Sequence, residues 1–197
     1  MSSPTRWAGV PLTDRRTERR ALLIDATFAI FGTSGAAALS VRSVCRESGL
    51  HTRYFYESFT DTDELLGAAY DMVAAQLAAV VEEAMERSGP SIRARTTAGV
   101  RAVLGFGSED PRRGRILFTE GRALPVLIDR RAATQDLLME VVLTEATATN
   151  RATDPLTSRV GAIMYTGAMA ELAQQWLAGH LGDDLDAVVE RVVSLVL

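Results

Sequence analysis

Six side chains between Ser40 and Tyr54 carry groups suited to a nucleic acid, and they fall within one short stretch, SVRSVCRESGLHTRYFYESF. Arg53 presents a planar fork of donors that can engage a guanine edge with two hydrogen bonds, worth about 1–3 kcal/mol of discrimination. Thr52 stands beside it, and His51 and Tyr54 add further hydrogen-bonding groups at the same helix start. Ser40 and Arg42 suit phosphate instead, the first at a helix N-terminus and the second by charge. For Tyr54 the residue types leave core, phosphate and base equally open.

Two short helices and a tight turn must hold these groups. Ser40 stands where an N-cap belongs, and Val41, Val44 and Cys45 form an apolar face at helical spacing. Gly49 supplies the residue that takes positive φ between the helices, with Leu50 as the plug behind it. A brief second helix then carries Thr52 to Tyr56, with Phe55 and Phe59 as its buried contacts. That is a helix-turn-helix, whose second helix lies in a DNA major groove.

Ahead of it, a helix beginning at Thr13-Asp14 is expected to run to about Phe31, with Leu22, Leu23, Ala26, Ile30 and two phenylalanines on its apolar face. Arg15, Arg16, Arg19 and Arg20 crowd its first turns against the helix dipole, a cost of a few tenths of a kcal/mol each that a phosphate backbone would remove. A solvated face is the other reading. Met1 to Leu12 has no period and reads as a loose arm, on which Arg6 could reach a minor groove or have no role.

The order of these residues resembles the tetracycline-repressor-like (TetR/AcrR) transcriptional regulators. The resemblance rests on Ala26, Phe28, Ala29 and Phe31-Gly32 ahead of Gly35, small Cys45, Gly49-Leu50, Phe55-Tyr56 and Phe59, and an acidic helix start ending in Leu65-Leu66. It covers roughly Arg15 to Leu66. It implies that the Tyr56 hydroxyl meets a phosphate, and it divides the chain at 1–60, arm and DNA-binding domain, and 61–197, a helical ligand-binding and dimerisation domain. Three positions depart from the family pattern. His51 stands where most relatives have serine or threonine, Thr62 flanked by Asp61 and Asp63 where many have lysine, and Ser58 where histidine is usual. The acids around Thr62 predict modest or strongly salt-sensitive DNA affinity.

The charge agrees with that division. Residues 1–60 hold eight arginines against five acids, a net +3, whereas residues 61–197 carry −7, for −4 over the 197 residues. After Asp61-x-x-Glu64, a capping-box spacing, one apolar stripe continues through Gln76 to about Arg87. Further helices are expected over Ser91–Phe106, around Ile116 to Phe118, from Val126 to about Thr149, Pro155–Ala178 and Asp183–Leu197, with a break over Gly107–Pro111 and a bend over Gly121–Pro125. No strand alternation is sustained. The fold expected is all-α.

Composition narrows the function classes. Only His51 and His180 could serve as histidine catalysts, Cys45 sits in the motif's small packing position, and neither Glu82-Glu83 nor Asp183-Asp184 has a partner motif for metal. Neither an enzyme nor a cofactor or metal site is expected. A single cysteine excludes an internal disulfide framework, no signal-peptide pattern is present, and no apolar run of about 20 residues suggests a membrane span. A cytoplasmic protein with no membrane partner is expected.

The resemblance further implies a small-molecule effector among the middle helices, with Gln76, Phe106, Phe118, Glu120, Met139, Met164, Tyr165, Met169 and Trp176 as candidates from residue type. Residue by residue, ordinary core packing outweighs a ligand role, because a stripe alone cannot distinguish cavity wall from filled core. It also implies that the last two helices pair with a second copy through Val160, Ile163, Met164, Gly167, Glu171, Leu185, Val188, Val189, Val192 and Val196, where intrachain core is again the alternative. The function expected is a homodimeric, ligand-responsive regulator, a repressor acting at a palindromic operator. The competing function is a helical small-molecule or protein-binding dimer that no longer reads DNA.

Overall fold

A computed structural model describes residues 6–7, 10–148 and 154–197. Nine α-helices occur among the described residues: α1 Leu12–Ser34, α2 Val41–Ser48, α3 Thr52–Tyr56, α4 Thr62–Arg87, α5 Ile92–Glu109, α6 Pro111–Leu117, α7 Ile128–Ala148, α8 Pro155–Leu177 and α9 Leu185–Val196. The chain is all-α apart from a two-residue antiparallel ladder in which Arg6 pairs with Pro11 and Trp7 with Val10. The loose arm read over Met1–Leu12 falls partly on residues 1–5 and 8–9, outside the described residues, as does Thr149 at the expected end of the seventh helix.

The chain forms two units, Met1–Asp71 and Met72–Leu197, so that α4 begins in one and continues through the other. In the first, α2 and α3 pack on α1. Leu23, Ile24, Ala26 and Phe31 of α1 meet a core that includes Val44, Phe55 and Phe59. Leu22, assigned to this face by periodicity, is exposed, and Ile24 and Thr27 are buried instead. Thr27 is tolerated there because its hydroxyl donates back to the Leu23 carbonyl at 2.9 Å.

Polar caps start several of the helices. Asp61 accepts from the Glu64 amide at 2.8 Å, while the Glu64 carboxylate reaches past it to the amide and hydroxyl of Thr60. Those two hydrogen bonds hold the Glu64 carboxyl below its ordinary range. Asp110 caps α6 by accepting from the Arg112 amide, with Pro111 at the first helical position. Asp154 and Asp184 cap α8 and α9 in the same way.

In the second unit α5 lies against α6, α8 and α9, and α7 packs on α8. The helix break expected over Gly107–Pro111 falls at Asp110: α5 continues past Gly107 to Glu109, and α6 starts at Pro111. A β-carbon at Gly107 would stand 3.1 Å from a Leu177 methyl and 3.2 Å from the Gly114 α-carbon, so the residue serves a close approach of α5 to α6 and α8. The expected bend after α6 consists of two 3-10 turns, Glu120–Ala123 and Pro125–Leu127. By length and composition α4 is apolar enough to cross a membrane, with a mean hydropathy of 1.4, although 44% of the apolar window is buried. Asp71 and Gln76 interrupt it, which is why a search for an unbroken run passes it over.

Candidate nucleic-acid interface and effector cavity

The helix-turn-helix is fastened at each junction by local hydrogen bonds. Ser40 and Ser43 form a reciprocal capping box, with the Ser43 amide donating to the Ser40 hydroxyl at 3.0 Å and the Ser40 amide donating to the Ser43 hydroxyl at 2.9 Å. Serine thus occupies the position usually held by Glu or Gln. Replacing Ser40 by alanine should cost the first unit about 1 kcal/mol, seen as an earlier denaturant midpoint with an unchanged slope. Gly49 closes α2 in the left-handed region, at φ 69°, where its amide donates to the Cys45 carbonyl.

His51 caps α3: its Nδ1 accepts from the Arg53 amide at 3.2 Å. It thereby does the work of the serine or threonine expected at this position, and in this tautomer the proton lies on Nε2. The cap lets a helix of only five residues begin with its side chains outward. His51, Thr52 and Arg53 are exposed, and Phe55 is fully buried beneath them. Tyr56 is 63% exposed and stands edge-on to Phe55 with ring centroids 5.2 Å apart.

Arg53 is held at its root. Its Nε donates to the Glu57 carboxylate at 2.9 Å, and its two terminal nitrogens bear no hydrogen bond among the described residues. Glu57 is anchored in turn from α1, with Arg16 donating to its backbone carbonyl at 2.6 Å and Arg19 lying 3.6 Å from its carboxylate. Arg19 also stacks over the Tyr54 ring at 4.4 Å, and Arg20 covers Phe59 at 4.8 Å. Arg16, Arg19 and Arg20 therefore have partners inside the unit: the Glu57 carbonyl, the Glu57 carboxylate and two aromatic faces. Periodicity could not reveal this, because the partners lie some forty residues away.

Arg42, His51, Thr52 and Tyr56 come together around one shallow concavity, floored by Val41, Cys45 and Leu50 and joined by Arg46. Arg46 was passed over in the sequence. Its signal was the i,i+4 spacing from Arg42, which puts both guanidinium groups on one side of α2. Ser40, Arg53 and Tyr54 lie outside this concavity.

A second cavity, of about 420 Å³, lies within the second unit. Of the effector candidates, Phe118, Tyr165 and Met169 line it. Phe106 is buried elsewhere beneath the Arg113 guanidinium, and Glu120 pairs with Arg115 at 2.6 Å. The indole nitrogen of Trp176 donates to the Ser108 hydroxyl at 2.6 Å. Gln76 and Met164 are exposed, and Met139 is half-buried away from the cavity wall.

The cavity wall also holds a bidentate ion pair that sequence reading missed. Arg95 donates to Glu145 through Nε at 2.9 Å and Nη2 at 2.5 Å, and through Nη1 to the Met85 carbonyl at 3.2 Å. Fifty residues separate the pair, so no local spacing announces it.

The interface candidates divide by exposure. Val160, Ile163 and Met164 face outward, Gly167 has open space above it, and Val196 is partly exposed while also lining the cavity. Glu171 is exposed and pairs with Arg122 at 3.2 Å. Val189 and Val192 are buried in the unit's own core, with Leu185 and Val188 half-buried. Leu156 and Leu195, absent from the sequence selection, are 71% and 86% exposed.

Residues 23–69, which span all seven DNA-contact candidates, match the family model described as bacterial regulatory proteins, tetR family. No curated protein matches the chain. Among solved structures, it superposes on the fatty acid degradation regulator FadR from Bacillus halodurans with a TM-score of 0.73 at 18% identity, covering 91% of this chain and 94% of that one. A TetR-family transcriptional regulator from Rhodococcus sp. gives 0.74 at 21% identity, over 91% and 97% of the two chains. FadR from Bacillus subtilis, solved in complex with stearoyl-CoA, gives 0.72 at 16% identity, over 89% and 96%. The N-terminal helix-turn-helix is therefore a tetR-family regulatory domain, and the chain as a whole has the fold of the TetR-like transcriptional regulators.

Proposed function

We propose that the protein is a cytoplasmic, homodimeric transcriptional repressor that leaves a palindromic operator when a small molecule occupies the second unit. The observation that carries this reading is the recognition helix within the matched tetR region: Thr52, Arg53 and Tyr56 are exposed, and Arg53 keeps both terminal nitrogens unengaged. Arg53 and Thr52, with His51 and Tyr54 beside them, contact bases. Ser40, Arg42 and Tyr56 hold phosphate.

The outward face of α8 supports dimerisation. Leu156, Val160, Ile163 and Met164 recur at helical spacing, more than two-fifths exposed each, and continue over the bare backbone at Gly167, where a second helix can approach closely. A two-fold pairing there would let two heads use half-sites about 34–36 Å apart. Ile163→Glu should convert the dimer to monomer in sedimentation velocity at micromolar concentration, with the helical circular dichroism unchanged. A persistent dimer would remove α8 from the interface.

For the effector, a chain of this fold has been solved with stearoyl-CoA, and the cavity here is of ligand size. Its occupant acts by population shift: it must bind the geometry off DNA more tightly than the geometry on DNA. The test is fluorescence anisotropy with DNA from immediately upstream of the protein's own gene, over a salt series. Saturable binding that exceeds binding to random DNA is the expected result. Equal binding to random DNA at every salt, repeated on genomic fragments selected by the protein, would favour the alternative, a helical dimer whose head no longer reads sequence. The acids Asp61 and Asp63 beside Thr62 are what favours that alternative.

A further inference from the structure

We propose that the effector is an uncharged, mainly apolar molecule bearing one carbonyl or similar hydrogen-bond acceptor, and that the Arg95–Glu145 pair excludes carboxylates and other anions from the cavity. This rests on the reading of the cavity as the effector site.

Most of the wall is hydrocarbon: Leu77 and Val81 from α4, Val103 from α5, Leu138 and Val142 from α7, and Met169 from α8. Such a surface binds by removing apolar area from water and selects on charge only through its few polar groups. Among the described residues Arg95 and Glu145 are the only charged side chains lining it, and each is about three-quarters buried. Arg95 already gives two donors to Glu145 and a third to the Met85 carbonyl, and Glu86 adds negative potential nearby.

An entering carboxylate would therefore find, among the described residues of the wall, no cation whose charge is not already neutralised. Arg95 keeps two N–H groups, but a carboxylate could gain its full charge only by displacing Glu145, which would leave a partly buried carboxylate unpaired. A free cation fares no better, because Glu145 is occupied by the bidentate pair.

Hydrogen-bonding groups without charge remain. Tyr165 and Thr96 line the cavity, and their hydroxyls make no hydrogen bond among the described residues. Burial pushes the Tyr165 phenol up, so it stays a neutral donor. Gln135 gives one N–H to the Thr166 hydroxyl at 2.6 Å and retains a second for a ligand. An apolar body with one acceptor satisfies this set and disturbs no existing bond.

The test uses three probes that share one chain and differ in charge: methyl decanoate, decanoate and decanoyl-CoA, each below its micelle concentration. They compete at neutral pH with Nile red, itself neutral and apolar, bound to the full-length protein. Methyl decanoate should displace the dye about tenfold more tightly than decanoate, and decanoyl-CoA should not compete. Glu145→Gln frees Arg95, so decanoate should gain about tenfold while the ester changes by less than about threefold. Decanoate or decanoyl-CoA matching the ester in the native protein would overturn the charge selection and leave the effector site standing. Nile red bound yet displaced by none of the three would also overturn the assigned class. Failure of Nile red itself to bind would remove the cavity as an effector site. If Glu145→Gln does not fold, the native charge series alone decides.

Discussion

Gly121→Ala should leave the second unit unable to keep its native packing. The added methyl would fall 1.8 Å from the Ile116 carbonyl oxygen and 2.9 Å from its carbonyl carbon. Both obstacles are backbone, so no side-chain rotamer relieves the clash. The 3-10 turn Glu120–Ala123 would have to move off the end of α6, where Gly121 and Ile116 are both buried. Overpacking of this kind costs about 3 kcal/mol or more. At about 2–4 °C per kcal/mol for a chain of this size, melting should fall by about 6–12 °C. Gly105→Ala is the control: its methyl would meet only ordinary contacts, at 3.9 Å from Glu109 and 4.0 Å from Leu185. It replaces glycine inside α5, so it should hold or raise stability by up to about 1 kcal/mol. Equal melting temperatures for the two variants would refute the assignment of Gly121 as a forced glycine.

Gly121 also shows what sequence could and could not disclose. Its place in a bend was legible, since Gly121 and Pro125 bracket a stretch that cannot continue a helix. The 1.8 Å approach was not, because it depends on how the bend folds back over α6. Gly107 is the converse case: composition began the break there, and tertiary packing carried α5 past it by using the bare backbone for contact with Gly114 and Leu177. Helix starts were the most readable features, because a cap is a local bargain between one side chain and an amide two or three residues on. Ser40, Asp61 and Asp154 each make that bond.

The two candidate sites differed in legibility for the same reason. The recognition face is contiguous in sequence, so residue types were enough to nominate Arg42 and Arg53, and the family resemblance added Tyr56 within the same seventeen positions. Their support was hidden: Glu57, Arg16 and Arg19 form a bridge between α1 and α3 that spans about forty residues. The cavity wall is assembled from α4, α5, α7, α8 and the ends of α6 and α9, and helical periodicity reports only that a residue faces inward. It cannot say whether the space inside is filled. Phe106 and Phe118 are chemically alike and both buried, yet only Phe118 borders the cavity.

The bridge on Glu57 bears on DNA reading, and Arg53→Ala should have the largest effect there. If Arg53 reads guanine with both terminal nitrogens, its loss costs about 1–3 kcal/mol per half-site, or about 5–150-fold in operator affinity for each head. The penalty should fall mainly on specific DNA. Arg53 is paired with Glu57 before DNA arrives, so losing its charge should weaken random-sequence binding far less than operator binding. Arg42→Ala should do the opposite, weakening operator and random DNA together and reducing the salt slope by about one. Glu57→Gln separates placement from charge. Glutamine can still accept from Arg53 but loses the ion pairs with Arg53 and Arg19, so non-specific affinity should rise as a negative charge leaves the DNA-facing side, while the ratio of specific to random binding falls. A Glu57→Gln protein with higher affinity and undiminished discrimination would show that Arg53 needs no tether to find its base, and that Glu57 serves only to join α3 to α1.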